Sequence, residues 1–228
     1  MSSHTAPTER VALNRQEQRT AATREALLDA ALQVLGDVGY NEATVGLIVK
    51  AARRAHGTFY VHFANKEEIY AALLQQMRER LHLDSRSVWD NSQPVVSIHK
   101  SIDLYVRSFE EDRVLWELLD GSSATSELFR DARRALRAAL ATDIRKGILS
   151  TRATARLEGM DVALVCDILA AMLEETCATF LLYRDTGDRD RITQHMTVMW
   201  ARMLGYEAAG DGLPVELSLV GRTETGSP

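Results

Sequence analysis

The sequence predicts an all-α protein in which a small N-terminal three-helix unit is joined to a larger C-terminal helical body, about nine helices in total. Three observations carry this. Apolar residues recur at helical spacing along most of the 228 residues, and no stretch alternates as a strand does. Glycine and proline are scarce, at 13 and 4, while strong helix formers abound. The second and third helices are short and closely spaced, and after Gln93-Pro94 the pattern changes to mostly longer helices.

Residues 1–19 are polar, with Arg10, Arg15 and Arg19 scattered through them, and are expected to form a disordered arm. The first helix spans about Thr20 to Val38, with Leu27, Leu28, Ala31, Leu35 and Val38 on one face. Gly39 is placed to end it in a left-handed conformation, with Tyr40 folding back on the helix end. A short second helix follows Thr44, a candidate N-cap, and covers about Val45–Ala52. A third covers about His56–Phe63. The fourth starts at Asn65, which can cap while Glu68 reaches back, and buries Ile69, Leu73, Met77 and Leu81.

The body continues with helices at about 95–110, 113–119, 126–149, 161–183 and 189–204. The helix 161–183 is apolar almost all round and needs burial on more than one side. The domains expected are therefore residues 20–66, then 67–205 with 67–82 as a connecting helix, then a flexible tail over 206–228.

Composition excludes several classes. No apolar run is long enough to cross a membrane. Residues 1–20 hold no apolar segment of the secretory kind. The two cysteines, Cys166 and Cys177, fall on one expected helix, roughly 16 Å apart along its axis, too far to bridge. A cytoplasmic protein is the expectation. The net charge is −5, yet the first 66 residues hold 8 Lys and Arg against 6 Asp and Glu. A mildly basic N-terminal part thus sits on an acidic body.

Helices two and three, each about two turns long and separated by three or four residues, have the shape of a helix-turn-helix. In the second of them Phe59 and Phe63 share a face and can anchor it, while His56, Thr58, Tyr60 and His62 lie mostly elsewhere. Lys66 adds a positive charge beside it. His56 and His62 have no carboxylate or thiol at metal-binding spacing, so no metal is expected. No phosphate-binding loop and no nucleophile with a base at useful spacing is evident, so no catalytic residue, no cofactor and no enzyme activity are expected.

Thr23 to Met77 resembles the DNA-binding domain of the TetR (tetracycline-repressor-like) family of bacterial regulators. The resemblance rests on Ala30-Ala31, Leu35, Gly39-Tyr40, Thr44-Val45, and the unbroken block Gly57-Thr58-Phe59-Tyr60-Val61-His62-Phe63 followed by Asn65-Lys66-Glu67-Glu68-Ile69. It implies a two-domain homodimer that binds a palindromic DNA operator and releases it when a small effector enters the C-terminal domain. Carried over, His56, Gly57 and Thr58 lie at base edges, and Thr44, Tyr60, His62 and Lys66 hold phosphates. Arg15 and Arg19 of the arm are further backbone candidates.

The turn departs from the family pattern. Ala52-Arg53-Arg54-Ala55 stands where Ala-Gly-Val-Ser is usual. Arg53 replaces a glycine of positive φ, at about 1 kcal/mol. Arg54 replaces a buried valine, and Ala55 a capping hydroxyl worth about 1 kcal/mol. Val49 replaces a small alanine, and Gly46 a polar contact. Two readings follow: Arg53 and Arg54 supply phosphate contacts that Gly46 has lost, or the chain is an adaptor of the same fold that has lost specific DNA binding.

For the body, the last two helices resemble a pair that forms a four-helix dimer interface in this family. Ile168, Met172, Met196, Met199, Trp200 and Met203 are the expected interface residues. The expected effector pocket draws on Tyr105, Phe109, Trp116, Phe129, Glu174 and Phe180, with Glu174 suited to a cationic ligand.

Overall fold

The structure, a computed structural model, describes residues 7–87, 89–122, 126–151, 157–184 and 188–206. Among these residues there are nine α-helices, one π-helical turn and no strand. The all-α expectation holds.

Helix α1 runs Pro7–Glu42, and only Gly39 inside it leaves helical geometry, at φ 74°, ψ 169°. The break falls where the sequence places it, at a residue whose missing Cβ removes the penalty for positive φ. The disordered arm needs correction: residues 7–19 are helical. Pro7 suits a first helical turn, and the Gln16-Glu17-Gln18 run favours helix. Residues 1–6 lie outside the described residues. Leu27, Leu28, Ala31 and Leu35 are buried as expected, whereas Val38 on the same face stays exposed.

Helices α2 (Val45–Ala51) and α3 (His56–His62) pack on α1 through Ile48, Val49, Phe59 and Phe63. The Thr44 hydroxyl oxygen accepts the Leu47 N–H at 3.2 Å, the N-cap expected. Helix α4 (Lys66–Ser87) is capped by Asn65, whose Oδ1 accepts the Glu68 N–H at 2.9 Å. The Glu68 carboxylate reaches back one residue further than a capping box requires, to the Ala64 N–H at 2.5 Å.

The body comprises α5 (Pro94–Glu111), α6 (Arg113–Ser122), α7 (Glu127–Leu149), α8 (Val162–Cys177) and α9 (Arg189–Met203). The long helix expected to reach Tyr183 widens instead into a π-helical turn over Ala178–Tyr183. The Arg113 guanidinium donates to the carbonyls of Leu181 at 3.0 Å and Leu182 at 3.4 Å, satisfying oxygens at that end. α5 and α9 run antiparallel: Glu110 pairs with Arg189, while Val95 packs on Val198 and Ala201. Cys166 and Cys177 are both free on α8, and burial pushes both thiols above their ordinary range.

Two charged features tie the body together. Arg133 and Arg137 are one turn apart on α7, and both donate to the buried Glu174 carboxylate, at 2.8 and 2.7 Å. A buried acid is tolerable here because two guanidiniums neutralise it. Tyr40 then joins the two domains. Its ring meets Tyr70 and Phe129 edge-on, with centroids 5.5 and 5.0 Å apart, and its hydroxyl donates to Glu67 at 3.0 Å. The body also extends past its expected end. Tyr206, assigned to the flexible tail, packs against Val95, Val198 and Ala201, and residues 207–228 lie outside the described residues.

Candidate functional site

The turn between α2 and α3 retains the backbone that a glycine would favour. Arg53 adopts φ 53°, and the N–H groups of Arg53 and Arg54 close the end of α2 on the carbonyls of Lys50 and Val49, at 3.2 and 2.9 Å. The substitution is therefore absorbed as strain of about 1 kcal/mol rather than by reshaping the turn. Arg54 is exposed, so no buried valine is being mimicked. Ala55 starts α3 with no side-chain cap, as expected. Val49 is accommodated between the helices and buried.

On α3 the side chains divide by period. Phe59 and Phe63 face the core and are almost fully buried, with Arg24 of α1 lying over the Phe63 ring. His56, Gly57 and Tyr60 are exposed, and Thr58 and His62 are half-buried. The His56 and Tyr60 rings lie side by side, with centroids 5.5 Å apart. Nothing lies within 4 Å of where a Cβ on Gly57 would stand, so backbone is accessible there. Sequence reasoning missed Val61, which is 77% exposed beside Tyr60 at 55%. Its signal was available: it sits two residues from Phe59, off the buried face. Thr44, Arg53 and Arg54, at the two ends of α2, are all exposed.

Lys66 departs from expectation. Its ammonium donates to the Tyr40 carbonyl at 2.8 Å and lies 4.2 Å from the Tyr40 ring centroid. Its first role is to pin the start of α4 to the end of α1.

The body encloses a cavity of about 370 Å³ between the second half of α4, residues 89–91, α5, α7 and the end of α9. Of the residues expected in a pocket, only Tyr105 lines it. Phe109 and Trp116 stack on each other at 4.0 Å as core, and with Glu174 they border only a crevice of about 10 Å³. That is below what a ligand needs. Phe129 packs on Tyr40, and Phe180 lies at the surface under Arg184. Glu174 is already neutralised by Arg133 and Arg137, so it offers no free charge to a cation.

Residues not anticipated build the cavity instead. The Asp143 carboxylate accepts from Ser85 Oγ at 2.8 Å and sits 2.9 Å from His82 Nδ1, linking α7 to α4. The Trp89 indole donates to Asn91 at 2.8 Å and Ser150 at 3.1 Å, and its ring lies over Gly147. A Cβ on Gly147 would stand 2.5 Å from that ring, which is the close approach glycine permits. Burial, with the Glu174 carboxylate nearby, pushes the Tyr105 phenol well above its ordinary range and keeps it protonated.

The expected dimer residues separate into two sets. Ile168, Met199 and Met203 are exposed, at 54%, 53% and 43%, and Leu164 joins them. Met172 is half-buried. Met196 and Trp200 must be withdrawn from the interface, because both are buried in the protomer's own core and Trp200 lines the cavity.

Together the uncovered α3 face and the strained but intact turn define a helix-turn-helix DNA-binding protein. Residues 27–73 match the model of the bacterial regulatory proteins of the tetR family. The chain is 27% identical over 166 residues to the fatty acid metabolism regulator protein of Bacillus subtilis (strain 168), covering 68% of this chain and 82% of that one. Among solved structures it resembles a TetR-family regulator from Syntrophomonas wolfei str. Goettingen, with a TM-score of 0.67, 15% identity and coverage of 83% of this chain and 99% of that one. It also resembles the regulator FadR from Bacillus subtilis in complex with stearoyl-CoA, with a TM-score of 0.62, 21% identity and coverage of 79% and 97%. Residues 27–73 thus carry a DNA-binding region of the kind found in the tetR family of bacterial regulatory proteins.

Proposed function

We propose that the protein is a homodimeric repressor that binds an inverted-repeat DNA operator and is released when a small molecule enters its C-terminal cavity. The observation that carries this reading is the division of α3. Phe59, with Phe63 just beyond the helix, is spent on anchoring, and His56, Gly57, Tyr60 and Val61 are left exposed for a groove to meet. His56, Gly57 and Thr58 are the base-edge contacts in this reading, joined by Val61, whose apolar surface suits a thymine methyl. Thr44, Arg53, Arg54, Tyr60 and His62 face phosphates, and Lys66 acts by positioning α4.

A second copy covers the exposed stripes of α8 and α9, where Leu164 and Ile168 lie one turn apart and Met199 and Met203 do the same. The twofold axis then sets two α3 helices about 34 Å apart, one turn of DNA. Effector coupling runs through α4, which is joined to the DNA-binding domain by Lys66 and Tyr70 and to the cavity by His82 and Ser85. A ligand that favours one α4 position lowers DNA affinity by the factor by which DNA lowers its own. Regulation rather than catalysis, in the cytoplasm, completes the reading.

The ligand seen on the Bacillus subtilis relative is not carried over.

The test is fluorescence anisotropy against DNA from upstream of the protein's own gene, across a salt series, beside a His56→Ala/Tyr60→Ala variant. Tight, salt-sensitive binding over random DNA that the variant loses is the expected result. Equal, weak binding to both DNAs, unchanged in the variant while the protein remains dimeric, favours the adaptor reading.

A further inference from the structure

The cavity has a polarity pattern that specifies its ligand more narrowly than its volume does. α5 lines it from Ile98 to Tyr105, seven residues apart and so roughly 10 Å of helix. Apolar surface makes up most of the wall, with leucine and isoleucine side chains such as Leu81, Ile102, Leu140 and Leu173 coming from α4, α5, α7 and α8. Four buried polar atoms of the lining have no hydrogen-bond partner among the described residues: Tyr105 Oη, Trp200 Nε1, Tyr206 Oη and Asp143 Oδ1, the last facing the Lys146 ammonium at 3.5 Å. Tyr105 and Trp200 are each at least nine-tenths buried. Leaving such groups unsatisfied is costly, so native proteins rarely keep them without a use.

Their positions are not random. α9 runs antiparallel to α5, with Thr197 beside His99, and Tyr206 beside Val95. Trp200 and Tyr206 therefore close the end of the cavity nearest the start of α5, and Tyr105 stands at the other end. An indole N–H only donates, so whatever meets Trp200 must accept. Charge is disposed differently. On the lining carboxylate, Asp143, Oδ2 is held by Ser85 and His82, and the charge at Oδ1 is balanced by the Lys146 ammonium at 3.5 Å. Arg78 is only half-buried and Lys146 is exposed, so cationic charge stays toward solvent.

Building on the effector reading above, we propose that the cavity takes a compact, uncharged molecule that is apolar along its middle and carries an oxygen acceptor, such as a ketone, lactone or ester carbonyl, near each end. Trp200 and Tyr206 hold one acceptor and Tyr105 the other. The two ends fix orientation, and the apolar trough supplies most of the affinity.

The probes are a medium-chain diketone about ten carbons long with a carbonyl near each end, the matching monoketone, and the matching dicarboxylate, sebacate. Binding is followed by calorimetry and by tryptophan fluorescence, since Trp89 and Trp200 both line the cavity. The diketone is expected to bind, the monoketone roughly three- to tenfold more weakly, and sebacate more weakly still. Tyr105→Phe and Trp200→Phe are each expected to bring the diketone down to the monoketone level. Without ligand, Tyr105→Phe is expected to raise Tm by roughly 2–4 °C, because it removes an unsatisfied hydroxyl and leaves the ring.

The proposal is overturned if sebacate binds as tightly as the diketone, if neither substitution weakens the diketone, if no probe binds, or if Tyr105→Phe lowers Tm. Operator binding on the same samples separates the two readings. A protein that takes the diketone yet never binds specific DNA sinks the regulator and spares the ligand class. A protein that binds its operator but ignores the diketone does the reverse.

Discussion

The helix-turn-helix and the cavity are built by opposite strategies. The DNA-facing surface is local: Thr44 to His62 places a cap, a turn and a recognition helix within nineteen consecutive residues. The cavity is assembled from α4, α5, α7, α8 and α9, and its partners lie far apart in the chain, as His82 and Asp143 do. A local site keeps its geometry through caps and short-range backbone bonds. A distributed site keeps it through the packing of the entire body. The same contrast shows in how each spends free energy. The turn stores strain at Arg53, and the cavity stores unsatisfied polar groups.

The largest effect that tests this contrast is Phe59→Ala. Phe59 is fully buried between α3 and α1, and its truncation is expected to cost about 3–5 kcal/mol. If the two regions are independently maintained, DNA binding is lost while the fluorescence of Trp89 and Trp200 stays native at room temperature. Tyr40 argues for some sharing, because its ring bridges α1, α4 and α7. A single loss of both signals at the same temperature, followed by anisotropy and fluorescence together, would break the comparison.

That difference in construction also governs what was legible beforehand. Gly39, the Thr44 cap, the Asn65 cap and the Phe59 and Phe63 anchors were all readable, because each is set by its neighbours in sequence, whereas the positive φ of Arg53 was suggested only by the family resemblance. The pocket was not. Tyr105, Phe109 and Trp116 look alike in a sequence, yet one lines a cavity and the other two stack as core. The methionine stripe of α9 shows why. It is two stripes about 60° apart: Met196 and Trp200 are one turn apart and face in, while Met199 and Met203 face out. Period alone gives both; only the position of α5 tells them apart. Glu174 was misjudged for a related reason, since Arg133 and Arg137 come from another helix to neutralise it.

An intermediate effect is expected at Gly147. The Cβ of Gly147→Ala meets the Trp89 ring at 2.5 Å, so the indole must swing away and give up its bonds to Asn91 and Ser150. A loss of about 1–2 kcal/mol is expected, typical of overpacking. A red shift in tryptophan emission should accompany it, with DNA affinity at saturating operator unchanged. If Tm and emission are both unaltered, Trp89 is not packed on Gly147 and the cavity is more open at that end.

The smallest effect is the most discriminating. Arg53→Gly relieves a left-handed backbone that costs a non-glycine residue roughly 1 kcal/mol, offset partly by the greater freedom of glycine in the unfolded chain. A net gain of about 0.5 kcal/mol is expected, read as a small rise in Tm. If Arg53 holds a phosphate, the same substitution weakens operator binding several-fold and lowers the salt slope by about 1. A variant that is more stable yet binds DNA less well shows that the strain is retained for contact with the backbone of DNA, and that Arg53 supplies what Gly46 cannot. A variant that gains stability and keeps both its affinity and its salt slope removes that reason. Arg53 would then be a tolerated loss, and the local site could no longer be held up as the more carefully preserved of the two.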